Sequence, residues 1–357
     1  MPIIFQDADR FVQSLEEGTE DKTPGLRSEA ILGQGGTDMD MKRFIAGAMV
    51  FLAATLCAAD VEAGKKIGVL MFSDEARYIE AARGITDKLK EMGFGEPKTS
   101  FMTDKAGANK ALAAELVQKY AAAKLDMIIT LGTSSTVAVS REIKDVPIIF
   151  SMVYDPVDAG IAKAWKSSGN NTTGTSTKMP MSKPMEVLEK FPRVKRLAVL
   201  YTAGEKNSES QLKDLQAVEA NYKIKIIPVR LATVEEINQL LPEILRTADA
   251  LFITGSNLVN SQVSTIVDMA DKAQVITITH LEDLVGAGVL LGVCANSYSM
   301  GQFSGEKAVK VLKGAKPSAI PIELAKKFDV ILNMKSATKG QFQIPPAFMK
   351  TVTKKIE

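Results

Sequence analysis

Cysteine and histidine are almost absent from this 357-residue chain, which has two cysteines and one histidine. Cys57 lies in an apolar segment near the N-terminus, so Cys294 is the one cysteine outside that segment. This excludes an intrachain disulfide from the folded part, whose stability must come from packing. Because His280 and Cys294 are too few ligands for a His/Cys metal site, we expect no metal.

Motifs for nucleophilic and nucleotide chemistry are also missing. The chain has no Gly-x-Ser-x-Gly elbow, and a Ser-His-Asp site would have to use His280. It has no P-loop motif. GAGVLLG at 286–292 resembles a dinucleotide fingerprint, but residues 289–293 have the pattern of a strand where that fingerprint requires a helix start. We therefore expect no catalytic residues and no cofactor.

An excess of charge of one sign is lacking too, since 44 Lys and Arg residues face 42 Asp and Glu residues. No block of basic residues alternates with aromatic residues. We therefore expect no nucleic acid as a partner.

Residues 41–63 have the three parts of a secretory signal. Lys42 and Arg43 are followed by an apolar run over 44–59, and small residues precede a cleavage point after Ala63. The run is shorter than the roughly 20 residues of a membrane span. Leu56 before Cys57 argues against a lipid anchor. We expect export and cleavage, with Met41 as the true start and the acid-rich residues 1–40 as a non-native extension.

From Lys66 onward, short apolar runs alternate with amphipathic helical patterns. KIGVLMF (66–72) predicts a strand and the spacing of Ile79, Ala82, Ile85 and Leu89 predicts a helix after it. The alternation continues to VPIIFSMV (146–153) and restarts with RLAVLYT (196–202). Continuous apolar strands separated by helices indicate parallel sheets covered on both faces. The pattern predicts an α/β fold with two Rossmann-like lobes.

The C-terminal segments predict that the chain crosses between these lobes more than once. GVLLGV (288–293) and FDVILN (328–333) have strand patterns, and a helix is predicted from about Ser299 to Lys313 with Gly301 and Gly305 on one face. We expect 64–176 and 295–322 to form the N-terminal lobe, and 177–294 and 323–357 the C-terminal lobe. Multiple crossings build a hinge, and ligands bind in the cleft between such lobes.

Small polar residues are concentrated where the predicted strands end. In open parallel sheets the ligand lies beyond the carboxyl ends of the strands. Such residues can also cap helices, and that alternative stays open for each of them. The candidate ligand-binding residues are Ser73, Gly132, Thr133, Ser134, Tyr154, Asp155, Tyr201, Asn207, Ser208, Ser256, Asn257, His280 and Glu282.

Five segments together resemble the ABC-transporter substrate-binding protein family, whose members include tryptophan- and tyrosine-binding lipoproteins. The segments are LGTSSTVAV, VPIIFSMVYDPVDAGI, GNNTTGTS, RLAVLYTAGEKNS and YSMGQFSGEKAVKVLKGAKPSAIPI. The resemblance implies a type I periplasmic-binding fold with three crossovers and a ligand enclosed between the lobes. Family positions that meet the ligand or the hinge match Thr133 and Ser134, Asp155, Asn207 and Ser208, and Ser256 and Asn257.

One segment departs from the family pattern. Amino-acid-binding members carry an acidic Ser-Asp-Thr-Asp type segment where this chain has Thr279-His280-Leu281-Glu282-Asp283. The missing aspartate is a plausible partner for an α-amino group, so the departure puts an amino-acid ligand in doubt, although Glu282 could substitute.

We therefore expect a monomeric, periplasmic solute receptor that closes on a small polar ligand, such as an amino acid or a related carboxylate. Its partner would be an ABC permease in the inner membrane. A second hypothesis is a receptor that presents its ligand to a membrane sensor. A third is a hydrolase or transferase on the same scaffold, which would need strongly shifted pKa values at His280 or at the carboxyls of Asp155 and Glu282.

Overall fold

Two open sheets, built mainly from parallel strands, form the core of the computed structural model, which describes residues 64–357. The predicted extension (1–40) and signal (41–63) lie outside the described residues. Within 64–357, every helix is too short or too polar to cross a membrane.

The first part of the chain alternates strand and helix as the sequence predicts. Its elements are β1 (Lys65–Met71), α1 (Ala76–Glu91), β2 (Thr99–Lys105), α2 (Lys110–Ala122), β3 (Met127–Leu131), α3 (Thr133–Glu142), β4 (Ile148–Val153) and β5 (Thr172–Ser176). Every residue of β3, β4 and β5 is buried, because helices cover both faces of the sheet.

The second part repeats this alternation. Its elements are α4 (Ser182–Leu188), β6 (Arg196–Tyr201), α5 (Lys206–Val218), a 3₁₀ turn (Glu219–Asn221), β7 (Lys225–Arg230), α6 (Val234–Thr247), β8 (Ala250–Ile253), α7 (Asn257–Ser261), α8 (Val263–Lys272), β9 (Ile276–Thr279), α9 (Glu282–Gly286) and β10 (Leu291–Cys294).

The last part returns to the first lobe and then to the second. Its elements are α10 (Ser297–Leu312), a 3₁₀ turn (Pro317–Ala319), β11 (Glu323–Leu324), β12 (Asp329–Asn333), α11 (Met334–Lys339), α12 (Pro346–Met349) and β13 (Lys354–Ile356).

Strand pairing assigns each segment to a lobe. The first sheet has the order β11-β5-β4-β3-β1-β2, and the second has the order β13-β12-β10-β9-β8-β6-β7. Among the described pairs, β10 and β12 are antiparallel and the rest are parallel. Glu323 and Leu324 pair with Thr175 and Ser176 of the first sheet, just beyond the predicted boundary at residue 322. Within 64–357 the chain crosses between the sheets three times, after β5, after β10 and after β11.

Helix α10 packs closely on α1 in the first lobe. A Cβ at Gly301 would overlap the carbonyl oxygen of Ala81, and one at Gly84 would overlap that of Tyr298. Glycine at both contacts lets the two helix backbones approach each other. This contact fixes the returning chain to the first lobe and so positions the crossing before it.

Candidate ligand-binding site

A cavity lies in the cleft between the two lobes, where the carboxyl ends of both sheets face each other. Its first-lobe walls are Arg77, Tyr78, Thr133, Met152, Tyr154 and Thr177. Its second-lobe walls are Asn207, Gln211, Gly255, His280 and Leu281. The free volume between these walls is about 20 Å³, room for about one water molecule, so the two lobes meet closely around the site.

His280 is the aromatic centre of the second-lobe wall. It follows β9 and lies parallel to Phe252 of β8, with ring centroids 6.1 Å apart, and edge-on to Tyr154 at 5.5 Å. Burial and the charge of Arg77 lower the pKa of His280 to about 3, so the ring is neutral near pH 7. Its Nδ1 is buried and has no hydrogen-bond partner among the described residues.

Asn207 and Gln211 lie one turn apart on α5, and both contact Gly255. The Asn207 side-chain amide donates to the Gly255 carbonyl, and Gln211 Oε1 accepts from the Gly255 N–H at 2.8 Å. Asn207 Oδ1 is left buried and unpartnered within the described part of the chain. Asn207 Oδ1 can therefore accept a hydrogen bond from a donor on a ligand.

Gly132 allows Tyr78 to reach the cavity. Gly132 has a φ of 98°, and a Cβ there would lie 2.7 Å from Tyr78 Oη. Burial raises the pKa of Tyr78 to about 12, so its hydroxyl stays protonated and can donate to a ligand. The next residue, Thr133, opens α3, and its Oγ1 accepts weakly from the Tyr154 N–H at 3.4 Å.

Strand β4 is irregular where it reaches the cavity. Met152 has a φ of 58°, and the pairing of β4 with β5 shifts between Phe150 and Val153. A left-handed backbone at a methionine is strained, and such residues concentrate at functional sites. The irregularity places Met152 in the cavity wall.

Arg77 brings a positive charge into the cleft, and two carboxylates neutralise this charge. It pairs with Glu75 at 2.6 Å and, across the cleft, with Asp283 of the second lobe at 2.8 Å. Burial opposes its charge, but Asp283, Tyr78 and Glu75 together raise its pKa above the ordinary value. Glu75 also accepts from Asn260 of the second lobe at 3.4 Å. No Asp or Glu is among the described residues that line the cavity.

A second set of contacts joins the lobes near the first crossing. Tyr154 Oη donates to Asp214 of α5 at 2.9 Å. Lys178 lies between Asp155 and Asp214, at 2.7 and 2.8 Å. Burial and the carboxylate of Asp214 raise the pKa of Tyr154, so this hydroxyl remains a donor. The lobes are therefore joined on two sides of the cavity.

The structure brings four of the predicted residues to the cavity: Thr133, Tyr154, Asn207 and His280. Gly132 supports this wall from behind. Ser134 lines a neighbouring space between the lobes, which it shares with Thr133 and with Gly204 of the second lobe.

The other predicted residues make contacts within the protein. Ser73 donates to Glu75, and Asp155 accepts from the Val157 and Asp158 N–H groups. Tyr201 packs on the core of the second lobe, and Ser208 bonds to Thr202. Ser256 caps α7, Asn257 donates to Glu205, and Glu282 pairs with Lys354 rather than entering the cavity.

Sequence reasoning missed Arg77, Tyr78, Met152, Thr177, Gln211, Gly255 and Leu281 as wall residues. One signal was available, since Gln211 lies four residues after Asn207 on the same predicted helix. Arg77 and Tyr78 lie inside the first turn of α1, where the helical pattern gives no sign of a cleft.

A larger groove lies at the opposite end of the second lobe. Its walls include Phe191, Arg193, Gln274 and Pro345, all from that lobe. Because one lobe supplies the whole wall, lobe closure cannot enclose a ligand there.

Two α/β lobes, three crossings and a cavity lined by both lobes are the features of the type I periplasmic-binding fold. The chain belongs to the ABC transporter substrate binding protein family, whose sequence model matches residues 66–356.

Relatives agree with this assignment. The chain is 26% identical over 279 residues to the tyrosine-binding protein of Clostridioides difficile, covering 77% of this chain and 80% of that protein. It resembles the ABC domain in complex with L-Trp from Streptococcus pneumoniae, with a TM-score of 0.78 and 24% identity over 82% of this chain and all of that one. It also resembles the ligand-free, open structure of a substrate binding protein with adhesive properties from Clostridium difficile, with a TM-score of 0.65 and 26% identity over 81% of this chain and 98% of that one.

Proposed function

We propose that the protein is the extracytoplasmic receptor of an ABC importer, which closes its two lobes over a small solute and delivers it to a membrane permease. The observation that supports this proposal is the cavity, whose walls come from both lobes. Two buried polar atoms in these walls, Asn207 Oδ1 and His280 Nδ1, have no hydrogen-bond partner among the described residues. Unpaired buried polar groups are costly, and a bound ligand would satisfy them. Binding energy is used for closure, and no bond is made or broken.

Aromatic amino acids are the ligand class that we propose. The rings of Tyr78, Tyr154 and His280 and the side chains of Met152 and Leu281 offer apolar contact to a ring. The relatives named for tyrosine and solved with L-Trp point to the same class.

The family and the predicted signal at 41–63 support delivery to a permease. In this proposal the exported chain begins at Gly64 and acts as a monomer. N-terminal sequencing of the protein recovered from the periplasm of an expressing cell tests the start. A mature N-terminus at Gly64 supports export and cleavage. Protein that stays in the cytoplasm with its N-terminal segment uncleaved contradicts them.

Ligand binding is tested with residues 64–357 by isothermal titration and thermal unfolding. L-tyrosine, L-tryptophan, L-phenylalanine and L-leucine are the test ligands, with a sugar as the control class. A ligand at a hundred times its Kd adds about 2.7 kcal/mol to the free energy of unfolding. Tight binding of the aromatic members supports the proposal, and binding of the sugar alone contradicts the ligand class.

A further inference from the structure

We infer that Asn207 and Gln211 form one recognition pair, oriented by the peptide groups of Gly255, and that this pair binds a head group carrying a hydrogen-bond donor beside an acceptor. An α-amino acid head group has this arrangement. The inference rests on the proposed function, because it assigns the part of the site that binds the polar end of the ligand.

The orientation of the Asn207 amide is fixed by its neighbour. The Gly255 carbonyl can only accept, so the amide nitrogen of Asn207 must face it. The other amide atom, Oδ1, is then an acceptor, and it is buried without a donor among the described residues. A ligand donor such as an ammonium group would fill this position.

The orientation of the Gln211 amide is fixed in the opposite sense. The Gly255 N–H can only donate, so Gln211 Oε1 must face it, at 2.8 Å. Its Nε2 is then a donor, and no described residue accepts from it. Gln211 is 1% exposed, so its amide is held in place by the surrounding protein. A ligand acceptor such as a carboxylate would meet Nε2.

Glycine at position 255 keeps the two amides together. A Cβ at this position would lie 3.0 Å from Asn207 Nδ2 and 3.2 Å from Gln211 Nε2. Both distances are shorter than ordinary van der Waals contact, so a Cβ there would require both amides to shift by a few tenths of an ångström. The pair therefore depends on three features of one residue: its carbonyl, its N–H and the absence of a side chain.

The charges around the cavity favour uncharged recognition. Arg77 is paired with Glu75 and Asp283, and no carboxylate is among the described wall residues. An amino acid has no net charge, so neutral amides can bind both of its ends without leaving an excess charge buried.

The test is a change in preference between ligands that differ only at the head group. The probes are L-tyrosine, tyramine, which lacks the carboxylate, and 3-(4-hydroxyphenyl)propionate, which lacks the amine. Gln211→Glu keeps an oxygen on the Gly255 N–H and replaces the donor by an anionic acceptor. We expect L-tyrosine to bind at least tenfold more weakly and the Kd ratio to shift at least tenfold towards tyramine. Gln216→Glu, on the exposed face of the same helix, is the matched control.

A neutral variant covers the case in which a buried acid prevents folding. Gln211→Met has a similar volume and removes the donor without adding charge. We expect L-tyrosine and the propionate to lose about fivefold or more in affinity, and tyramine to be unchanged, with thermal unfolding confirming the fold.

The outcomes separate the two proposals. If L-tyrosine binds the wild type and neither variant changes the ligand preference, the recognition pair is wrong and the receptor function stands. If the wild type binds no α-amino acid but another solute closes the lobes, the head-group assignment is wrong and the receptor function again stands. If no solute binds the folded wild type, both proposals fail.

Discussion

Arg77 and Asp283 form a buried ion pair at 2.8 Å that joins the first lobe to the second across the ligand cleft. Arg77 is 3% exposed, so the pair forms away from water and can form only when the lobes meet. Closure in this protein therefore depends on contacts between the lobes as well as on contacts with the ligand. The balance between open and closed forms should respond to this pair directly.

Asp283→Asn should favour the open form. Removing one partner of a buried pair is strongly destabilising, and the continued contact of Arg77 with Glu75 limits the loss to about 2–3 kcal/mol of closure free energy. We expect a larger radius of gyration by small-angle scattering and at least tenfold weaker ligand binding. Glu243→Gln, in an exposed pair within the second lobe, is the control and should change neither. An unchanged radius and affinity in Asp283→Asn would show that the pair does not hold the lobes.

Gly132→Ala should impair both stability and binding. The alanine would have to adopt a φ of 98° with a ψ of 156°, a region that is almost exclusive to glycine, at a cost of about 1–3 kcal/mol, and its Cβ would also displace Tyr78. The control is Gly314→Ala, where φ is 96° but no atom lies within 4 Å of the added Cβ. Both variants should lower the thermal midpoint, and Gly132→Ala alone should weaken ligand binding. Equal binding by the two would mean that Tyr78 does not contribute.

His280 should make the ligand-free protein less stable as the pH falls below about 6.5. Its pKa is about 3 in the folded protein and about 6.5 when unfolded, so the unfolded chain takes up a proton that the folded chain refuses. Above pH 6.5 this contribution is fully present, and it is lost progressively towards pH 3, by up to about 1.4 kcal/mol per pH unit.

Denaturant unfolding of the wild type and His280→Gln between pH 8 and pH 4 measures this effect. Because the chain has one histidine, the difference between the two curves isolates it from the carboxyl groups. Parallel curves would contradict a neutral buried imidazole.

Asp271→Asn should stabilise the protein at neutral pH. Both carboxyl oxygens of Asp271 are buried without a hydrogen-bond partner in the described part of the chain, and Lys339 is 3.9 Å away. Burial raises the pKa of Asp271, so its contribution to stability is complete below about pH 4 and is lost as the pH rises through the folded pKa.

The neutral variant should therefore gain about 1 kcal/mol over the wild type at pH 8 and almost nothing at pH 4. The comparison variant is Asp268→Asn, on the same helix but exposed. A gain at pH 4 equal to that at pH 8 would contradict the role of charge.

The fold was predictable because each local pattern agrees with the whole. The apolar run at 146–153 contains the buried strand β4, and the run at 66–72 contains most of β1. The family resemblance and the two-lobed α/β class are both confirmed.

The site was less predictable, because position along the chain does not decide which polar group faces the cleft. Ser256 and Thr133 both begin helices after strands, yet Ser256 caps its own helix and Thr133 lines the cavity. Gln211 becomes a cavity wall through contact with Gly255, which lies far along the sequence. Such contacts between distant segments have no signature in a single sequence.

The return of α10 and β11 to the first lobe determines when that lobe can be completed. A ribosome that has made β1 to β5 has not yet made the helix that packs on α1 or the edge strand beside β5. The N-terminal lobe therefore cannot finish folding ahead of the C-terminal lobe, as domains generally do during synthesis. Its native packing requires residues 297–324. A truncated chain that ends before them therefore contains neither lobe in complete form.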